Sequence, residues 1–491
     1  MAQAKRKKII EFGDFQTPPQ LALEVCDTLK ACGIDANSIL EPTCGVGTFL
    51  VAASQKFPGA RTLLGLEINS DYAAQAHNAL AKSPAWSKSE IIQSDFFRQD
   101  WKGLLAKLPD PLLIIGNPPW VTNAQLSTLG SRNHPKKSNF QDHRGIDAIT
   151  GQGNFDISEW MLLKCSEWLH GRRGTLAMLC KTSVARKVLL SAWKNSLSVE
   201  KAEVFPIDAL AHFGVSVDSC LLVICFSPKG HSLDCRLHSS LSDTTATTFG
   251  YRDGDLVADI KKYDRWRHLQ GGQLYKWRSG VKHDCSRVME LVRVNGKFEN
   301  GLGELVHLED EYLYPMLKSS HLASIEIPDT KLWMLVTQQV IGENTRHIED
   351  GAPLTWRYLQ THSEALDRRS SSIYKNRARF SVFGVGDYTF SDWKVGISGF
   401  YKALLFHAIS PRHGKPVVFD DTCYFVPCRS RSEAMLLESL LNSEQAYEFY
   451  SAFVFWDSKR PITVDLLKKL DIFALSEELG FGQELKKHLG I

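Results

Sequence analysis

Pro111-Leu112-Leu113-Ile114-Ile115-Gly116-Asn117-Pro118-Pro119-Trp120 joins an uninterrupted apolar run to a stiff polar turn. Such a run predicts a strand buried on both faces, as in a parallel sheet, and parallel sheets present ligands at the carboxyl ends of their strands. Asn117 to Trp120 therefore fall where chemistry is expected. An exocyclic NH2 offers two hydrogens, and a site for it needs two acceptors: the Asn117 side-chain oxygen supplies one and a backbone carbonyl the other. Pro118 and Pro119 each fix φ and lack an N–H, so the turn adds no competing donor. Trp120 adds a flat face for stacking. A buried strand ending in a proline turn, with Asn117 serving the local backbone and Trp120 in the core, accounts for the same letters. The surrounding segments decide between the two readings.

At 491 residues the chain exceeds what one hydrophobic core usually serves, and two domains are expected. Its 43% hydrophobic and 23% charged residues are those of a soluble globular protein. A net charge of +3 is too small to indicate a polyanionic partner without local clusters. Eleven cysteines without a Cys-x-x-Cys pair point to reduced thiols, with no disulfide framework and no metal site. Met1 to Lys8 is basic but leads into no apolar signal core, so a cytoplasmic protein with no membrane segment is expected.

Residues 1–230 alternate short apolar runs with helix-like segments, the pattern of a doubly wound α/β domain. Strands are expected at 38–40, 62–66, 90–93, 112–115, 174–180, 201–205 and 220–226, and helices over 19–29, 48–55, 70–81 and 157–168. The polar stretch 121–154 has no clear periodicity and reads as a long functional loop. Ser227-Pro228-Lys229-Gly230 and the hydroxyl-rich residues 239–248 read as the passage to a second domain, 231–491, mixed α+β in character.

Four further segments carry chemistry. Glu41-Pro42-Thr43-Cys44-Gly45-Val46-Gly47 follows the first strand and opens a helix, with Gly45 and Gly47 permitting a tight turn and close approach by a ligand. Glu67, followed by Ile68, ends the next strand 20 positions after Gly47, where a carboxylate can bind two ribose hydroxyls. Asp95 can accept from an adenine amino group while Phe96 or Phe97 packs on the ring. Phe15-Gln16-Thr17-Pro18 precedes the first helix; a helix start explains Thr17 and Pro18 but not Phe15 or Gln16.

Taken in order, these segments resemble the S-adenosylmethionine-dependent amino-group DNA methyltransferases in their gamma arrangement, over residues 11 to about 226. The resemblance implies a class I methyltransferase catalytic domain over 1–230, with S-adenosylmethionine as cofactor. Phe15 to Pro18 and Glu41 to Gly47 would surround its methionine portion, Glu67 its ribose, and Asp95 with its aromatic neighbour its adenine. Asn117 to Trp120 would hold the target base, with Phe213 packing on it after extrusion. Gly153 to Asp156 and Gly174 to Ser183 match later family segments. Glu41 and Thr43 depart mildly from the more usual Asp and Ala. Asn rather than Ser at 117 favours adenine N6 over cytosine N4. RNA and protein-glutamine methyltransferases share the Asn-Pro-Pro-aromatic segment, but residues 231–491 favour a DNA target-recognition domain.

That second part interleaves basic and aromatic residues. Arg368, Arg369, Lys375, Arg377, Arg379 and Lys282 are the expected contacts to double-stranded DNA. A modification enzyme of a restriction-modification system is expected, monomeric or weakly dimeric, with a cognate restriction endonuclease encoded separately. Asp253, Asp255 and Asp259-Ile260-Lys261 are too poorly spaced for a fused nuclease.

Overall fold

The computed structural model describes residues 16–121 and 156–490, apart from positions 84, 244, 273 and 459. The expected Phe15 contact and the Gly153 to Phe155 match lie outside the described residues. The chain divides into two compact units, 1–257 and 258–491.

Among its described residues the first unit begins with helix α1 (Pro19–Ala31) and continues β1 (Ser38–Glu41), α2 (Thr48–Lys56), β2 (Thr62–Glu67), α3 (Ser70–Ala81), β3 (Ser89–Gln93), α4 (Trp101–Leu105) and β4 (Leu112–Gly116). After residue 156 come α5 (Ile157–Leu169), β5 (Gly174–Lys181), α6 (Thr182–Lys194), β6 (Val199–Ile207), α7 (Ala209–Phe213) and β7 (Ser219–Phe226). Three more strands, β8 (Asp234–His238), β9 (Ala246–Arg252) and β10 (Asp255–Val257), complete the unit. Among the described residues these form one ten-stranded sheet in the order β10-β9-β8-β6-β7-β5-β4-β1-β2-β3. Strands β3, β2, β1, β4 and β5 run parallel, and β7 is antiparallel to both β5 and β6. Every residue of β1 and β4 is buried: β4 as an uninterrupted apolar strand of a covered sheet, and β1 with the polar Ser38 and Glu41 flanking Ile39 and Leu40. Strand order reverses between β1 and β4, opening a crevice at their carboxyl ends.

The unit ends after Val257, not near 230. Strand β8 pairs parallel to β6, and β9 returns antiparallel to β8. The hydroxyl-rich stretch expected to be a passage is a turn inside the sheet. The Asp243 carboxylate accepts from Ser239 Oγ, from Thr245 N at 2.8 Å and from Thr245 Oγ1 at 2.7 Å. Side chains that mimic backbone turns look the same as a linker in composition.

The second unit contains a four-stranded and a six-stranded sheet among its described residues. The four-stranded sheet is antiparallel throughout, with the strand Trp393–Ser398 at its centre between Phe406–Ile409 and Cys423–Cys428. Helices Arg431–Leu441 and Glu444–Ser451 follow the sheets, in keeping with the expected mixed α+β character. Among the described residues no helix is long and apolar enough to cross a membrane.

Candidate active site

Four carboxyl-terminal strand ends deliver the expected side chains to one edge of the parallel sheet: Glu41 on β1, Glu67 on β2, Asp95 two positions after β3, and Asn117 directly after β4. Gly45 (φ 51°) and Gly47 (φ 82°) adopt left-handed backbone between β1 and α2. A Cβ on Gly47 would lie 3.0 Å from Ala76 Cβ and 3.1 Å from its Cα, so both conformation and space demand glycine there. The turn is tied to the sheet by Cys44 N donating to Leu66 O at 2.7 Å.

Glu67 is buried, and its two oxygens accept from Gly45 N and Asn69 N, each at 2.8 Å. These bonds aim the carboxylate along the glycine turn. Ile68 beside it is an apolar side chain left 37% exposed. Glu41 is only 3% exposed, and its Oε2 is buried without a hydrogen-bond partner among the described residues. Burial pushes its carboxyl well above the usual range; the Leu50 backbone N–H opposes this and the Glu67 charge adds to it. Pro42 is buried and Thr43 half-buried beside it. The Cys44 thiol is pushed up by burial, then by Glu41 and Glu67, and so is no nucleophile.

The Gln16 side-chain oxygen accepts from Val46 N at 3.3 Å, placing the first described residues against the glycine turn. Thr17 is buried, and its Oγ accepts from Asn117 Nδ2 at 3.3 Å. This bond orients the Asn117 amide across 100 positions of sequence. Asp95 accepts from Phe97 N at 2.9 Å and lies 3.4 Å from Arg98 Nε. Phe96 is buried in an aromatic cluster, its ring 4.9 Å from Trp101 and 5.6 Å from Trp168. Phe97 is half-buried and lies 5.3 Å from Trp160, so of the two phenylalanines it keeps more surface for a ligand.

Pro118 and Trp120 are buried, and Pro119 is half-buried. The Trp120 indole donates to Leu179 O at 3.3 Å, and its ring meets half-buried Phe213 edge to face at 5.3 Å and 72°. The two rings expected at the target base thus lie against each other, 93 positions apart in sequence, with Trp120 only 6% exposed in the hydrophobic core and Phe213 packed against it.

Lys181, at the end of β5, was not visible as a site residue in the sequence. Its Nζ donates to Trp120 O at 3.2 Å and to Asp156 Oδ2 at 2.5 Å. Asp156 also caps α5 through Ser158 N at 3.0 Å, and Ile157 N donates to Val121 O at 2.9 Å. The available signal was a lysine standing where a helix begins.

Among the basic residues expected at DNA, Arg369 is half-buried. Its guanidinium donates to Leu366 O at 2.7 Å, Ser381 O at 2.7 Å and His283 O at 3.2 Å, and lies 3.8 Å over the Tyr374 ring. Its Nε and Nη1 brace the loop, leaving fewer donors for a phosphate than an exposed arginine offers. Lys282 pairs with Asp284 at 2.8 Å and Asp421 at 3.3 Å, Arg379 with Asp367 at 2.6 Å, and Arg368 with Glu364. Lys375 and Arg377 are exposed and form no ion pair among the described residues. No group of three or more metal-ligating side chains occurs among the described residues.

Parallel strands in the order β3-β2-β1-β4-β5, closed by antiparallel β7 and carrying a glycine turn after β1, define a class I methyltransferase domain. The chain is 44% identical over 472 residues to the type II methyltransferase M.NspV of Nostoc sp., covering 96% of this chain and 98% of that one. A shorter match, 32% over 117 residues, covers 24% of this chain and 27% of the type II methyltransferase M.CvrRI of Paramecium bursaria Chlorella virus XZ-6E. The solved structure of the type IIL restriction-modification enzyme MmeI in complex with DNA aligns over 100% of this chain and 75% of that chain. Its TM-score is 0.50 at 14% identity, a likeness of fold. No protein-family model matches the chain. The chain belongs to the type II methyltransferases, the DNA-modifying enzymes of restriction-modification systems. S-adenosylmethionine is the usual methyl donor of the class I fold.

Proposed function

We propose that the protein methylates N6 of a specific adenine in duplex DNA, taking the methyl from S-adenosylmethionine after extruding the target base. The observation that carries this reading is the placement of Glu41, Glu67 and Asn117 at the carboxyl ends of the adjacent parallel strands β2, β1 and β4, about the strand-order reversal. The donor set suits the cofactor. The buried, unpartnered Glu41 Oε2 matches an ammonium, the oriented Glu67 carboxylate a ribose diol, and Asp95 with Phe97 an adenine. Gln16, Thr17 and Pro42 to Gly47 would enclose the methionine portion, and Ile68 would cover the adenine edge. When bound, S-adenosylmethionine supplies an electrophilic methyl on its sulfonium.

The chain's own residues handle the nucleophile. Extrusion of the base costs a few kcal/mol. Packing against Trp120 and Phe213 offsets that cost. An exocyclic amine is weakly nucleophilic because its lone pair is delocalised into the ring. Asn117 Oδ1 and the Pro118 carbonyl accept its two hydrogens and stabilise positive charge as it develops on nitrogen. The Thr17 bond to Asn117 Nδ2 fixes the orientation of the amide. Exposed Lys375 and Arg377 in the second unit would contact phosphates, and that unit would select the sequence.

Asn117→Ala should lower methyl transfer from labelled cofactor to DNA by at least about 100-fold, with cofactor binding retained. Full activity in that variant would sink the assignment. Detection of modified bases in methylated DNA separates N6-adenine from N4-cytosine. Methyl incorporation into ribosomal RNA or protein in place of DNA would overturn the substrate.

A further inference from the structure

We propose that Lys181 is a positioning residue for methyl transfer, setting the tilt of the Asn117–Trp120 turn through the Trp120 carbonyl. This rests on the function proposed above. Lys181 stands at a junction of three element ends. Its Nζ reaches Trp120 O after β4 at 3.2 Å and Asp156 Oδ2 before α5 at 2.5 Å, while its own backbone ends β5. Two positions earlier on β5, Leu179 O accepts from the Trp120 indole at 3.3 Å. Trp120 is therefore held by one strand at both its ring and its carbonyl.

Helix formation does not explain a lysine here. Lys181 is the N-cap of α6 and makes no capping hydrogen bond. Ser, Thr, Asp or Asn would satisfy the exposed N–H groups, and a cation at this end opposes the helix dipole. Nor does strand burial explain it, because the seven preceding residues of β5 are all buried. A side chain that contradicts the local rules of both elements it joins is expected where function demands it. Asp156, 9% exposed at its side chain, neutralises the ammonium and leaves it as a fixed donor to Trp120.

The turn makes that donor consequential. Pro118 and Pro119 have fixed φ, so the peptide after Trp120 is one of the few parts through which the turn can still tilt. Lys181 holds that peptide. The bond from Ile157 N to Val121 O, at 2.9 Å, holds the next. Loss of the lysine would let Asn117 drift relative to the methyl donor without disturbing Glu41 or Glu67.

The test compares full-length Lys181→Met, Lys181→Arg and Asp156→Asn with the wild type. Duplexes carry either adenine or fluorescent 2-aminopurine at the target position. Lys181→Met should lose about 100-fold in kcat, the scale of a misplacement near 1 Å, with the cofactor dissociation constant unchanged within about twofold. Lys181→Arg should recover at least about tenfold of that loss, and Asp156→Asn should shift kcat in the same direction. The emission of the extruded 2-aminopurine should differ between Lys181→Met and wild type, a change that lower stability alone would not produce. Unchanged kcat in folded Lys181→Met, or a loss matched by equal loss of cofactor binding, overturns the inference while leaving the proposed function intact. A wild type that transfers no methyl to DNA overturns both.

Discussion

Glu41 is buried beside a second carboxylate, and burial keeps its proton on above the usual carboxylate range. An ammonium placed at Glu41 Oε2 would favour the ionised form, so binding would release that proton. By linkage, affinity for S-adenosylmethionine should rise with pH while Glu41 in the free protein is still protonated, then level off once it ionises. Glu41→Gln should remove that dependence and weaken binding by roughly tenfold or more, since a hydrogen bond to a charged group contributes about 1.5–3 kcal/mol. Calorimetric titration in buffers of different ionisation enthalpy reads the proton release directly. An unchanged pH profile in Glu41→Gln would place the ammonium elsewhere.

At the scale of elements, the central strand Trp393–Ser398 of the four-stranded sheet buries Lys394 to 1% exposure. Its Nζ donates to Ser391 O at 2.6 Å and Val417 O at 2.7 Å. Burial nonetheless holds its amine down to about 7. The unfolded chain keeps the ordinary value of 10.5, so between about pH 7 and 10.5 it binds more protons than the folded protein. Stability should therefore rise with pH across that window, by on the order of a few kcal/mol, and show no Lys394 contribution to the slope below it. Urea unfolding from pH 7 to 9.5 should show this rise in wild type and a flatter profile in Lys394→Met. Equal slopes would exclude Lys394 as its source. Elements of this kind also mark how far the sequence could be read. Strands β2, β4, β5 and β7 were legible because each is built on an apolar run, and β1 because Ile39-Leu40 lead directly into the glycine turn. Helix α6 was not, because it opens on Lys181, chosen for a partner 61 positions away rather than for the helix. Strands β8 to β10 were hidden by a hydroxyl-rich turn that composition cannot tell from a linker. The glycine turn, Glu67 and Asn117 could be read because local backbone demands and strand ends fix them. Arg369 could not, because the carbonyls that bury its guanidinium lie as far as 86 positions away.

Across the whole molecule 58 basic residues oppose 55 acidic ones, so attraction to a polyanion depends on which cations are already paired. Lys282 faces two carboxylates, Arg379 one, and Arg369 gives its Nε and Nη1 to backbone carbonyls. Arg368 and Glu364 are both largely exposed, and such a surface pair opens at little cost. Among the described residues Lys375 and Arg377 have no ion pair to break. Each phosphate contact releases counterions and steepens the fall of log affinity with log salt by about 0.9. Lys375→Ala and Arg377→Ala should therefore each reduce that slope by about 1 between roughly 50 and 200 mM salt, without changing the sequence that is methylated. Arg369→Ala should leave the slope unaltered while lowering the unfolding midpoint, because its donors hold a loop and not a ligand. Fluorescence anisotropy on a labelled duplex measures the slopes, and urea unfolding measures the midpoint. A wild-type slope in the double variant Lys375→Ala, Arg377→Ala would move the phosphate contacts to cations that must first give up a carboxylate, Arg368 foremost among them.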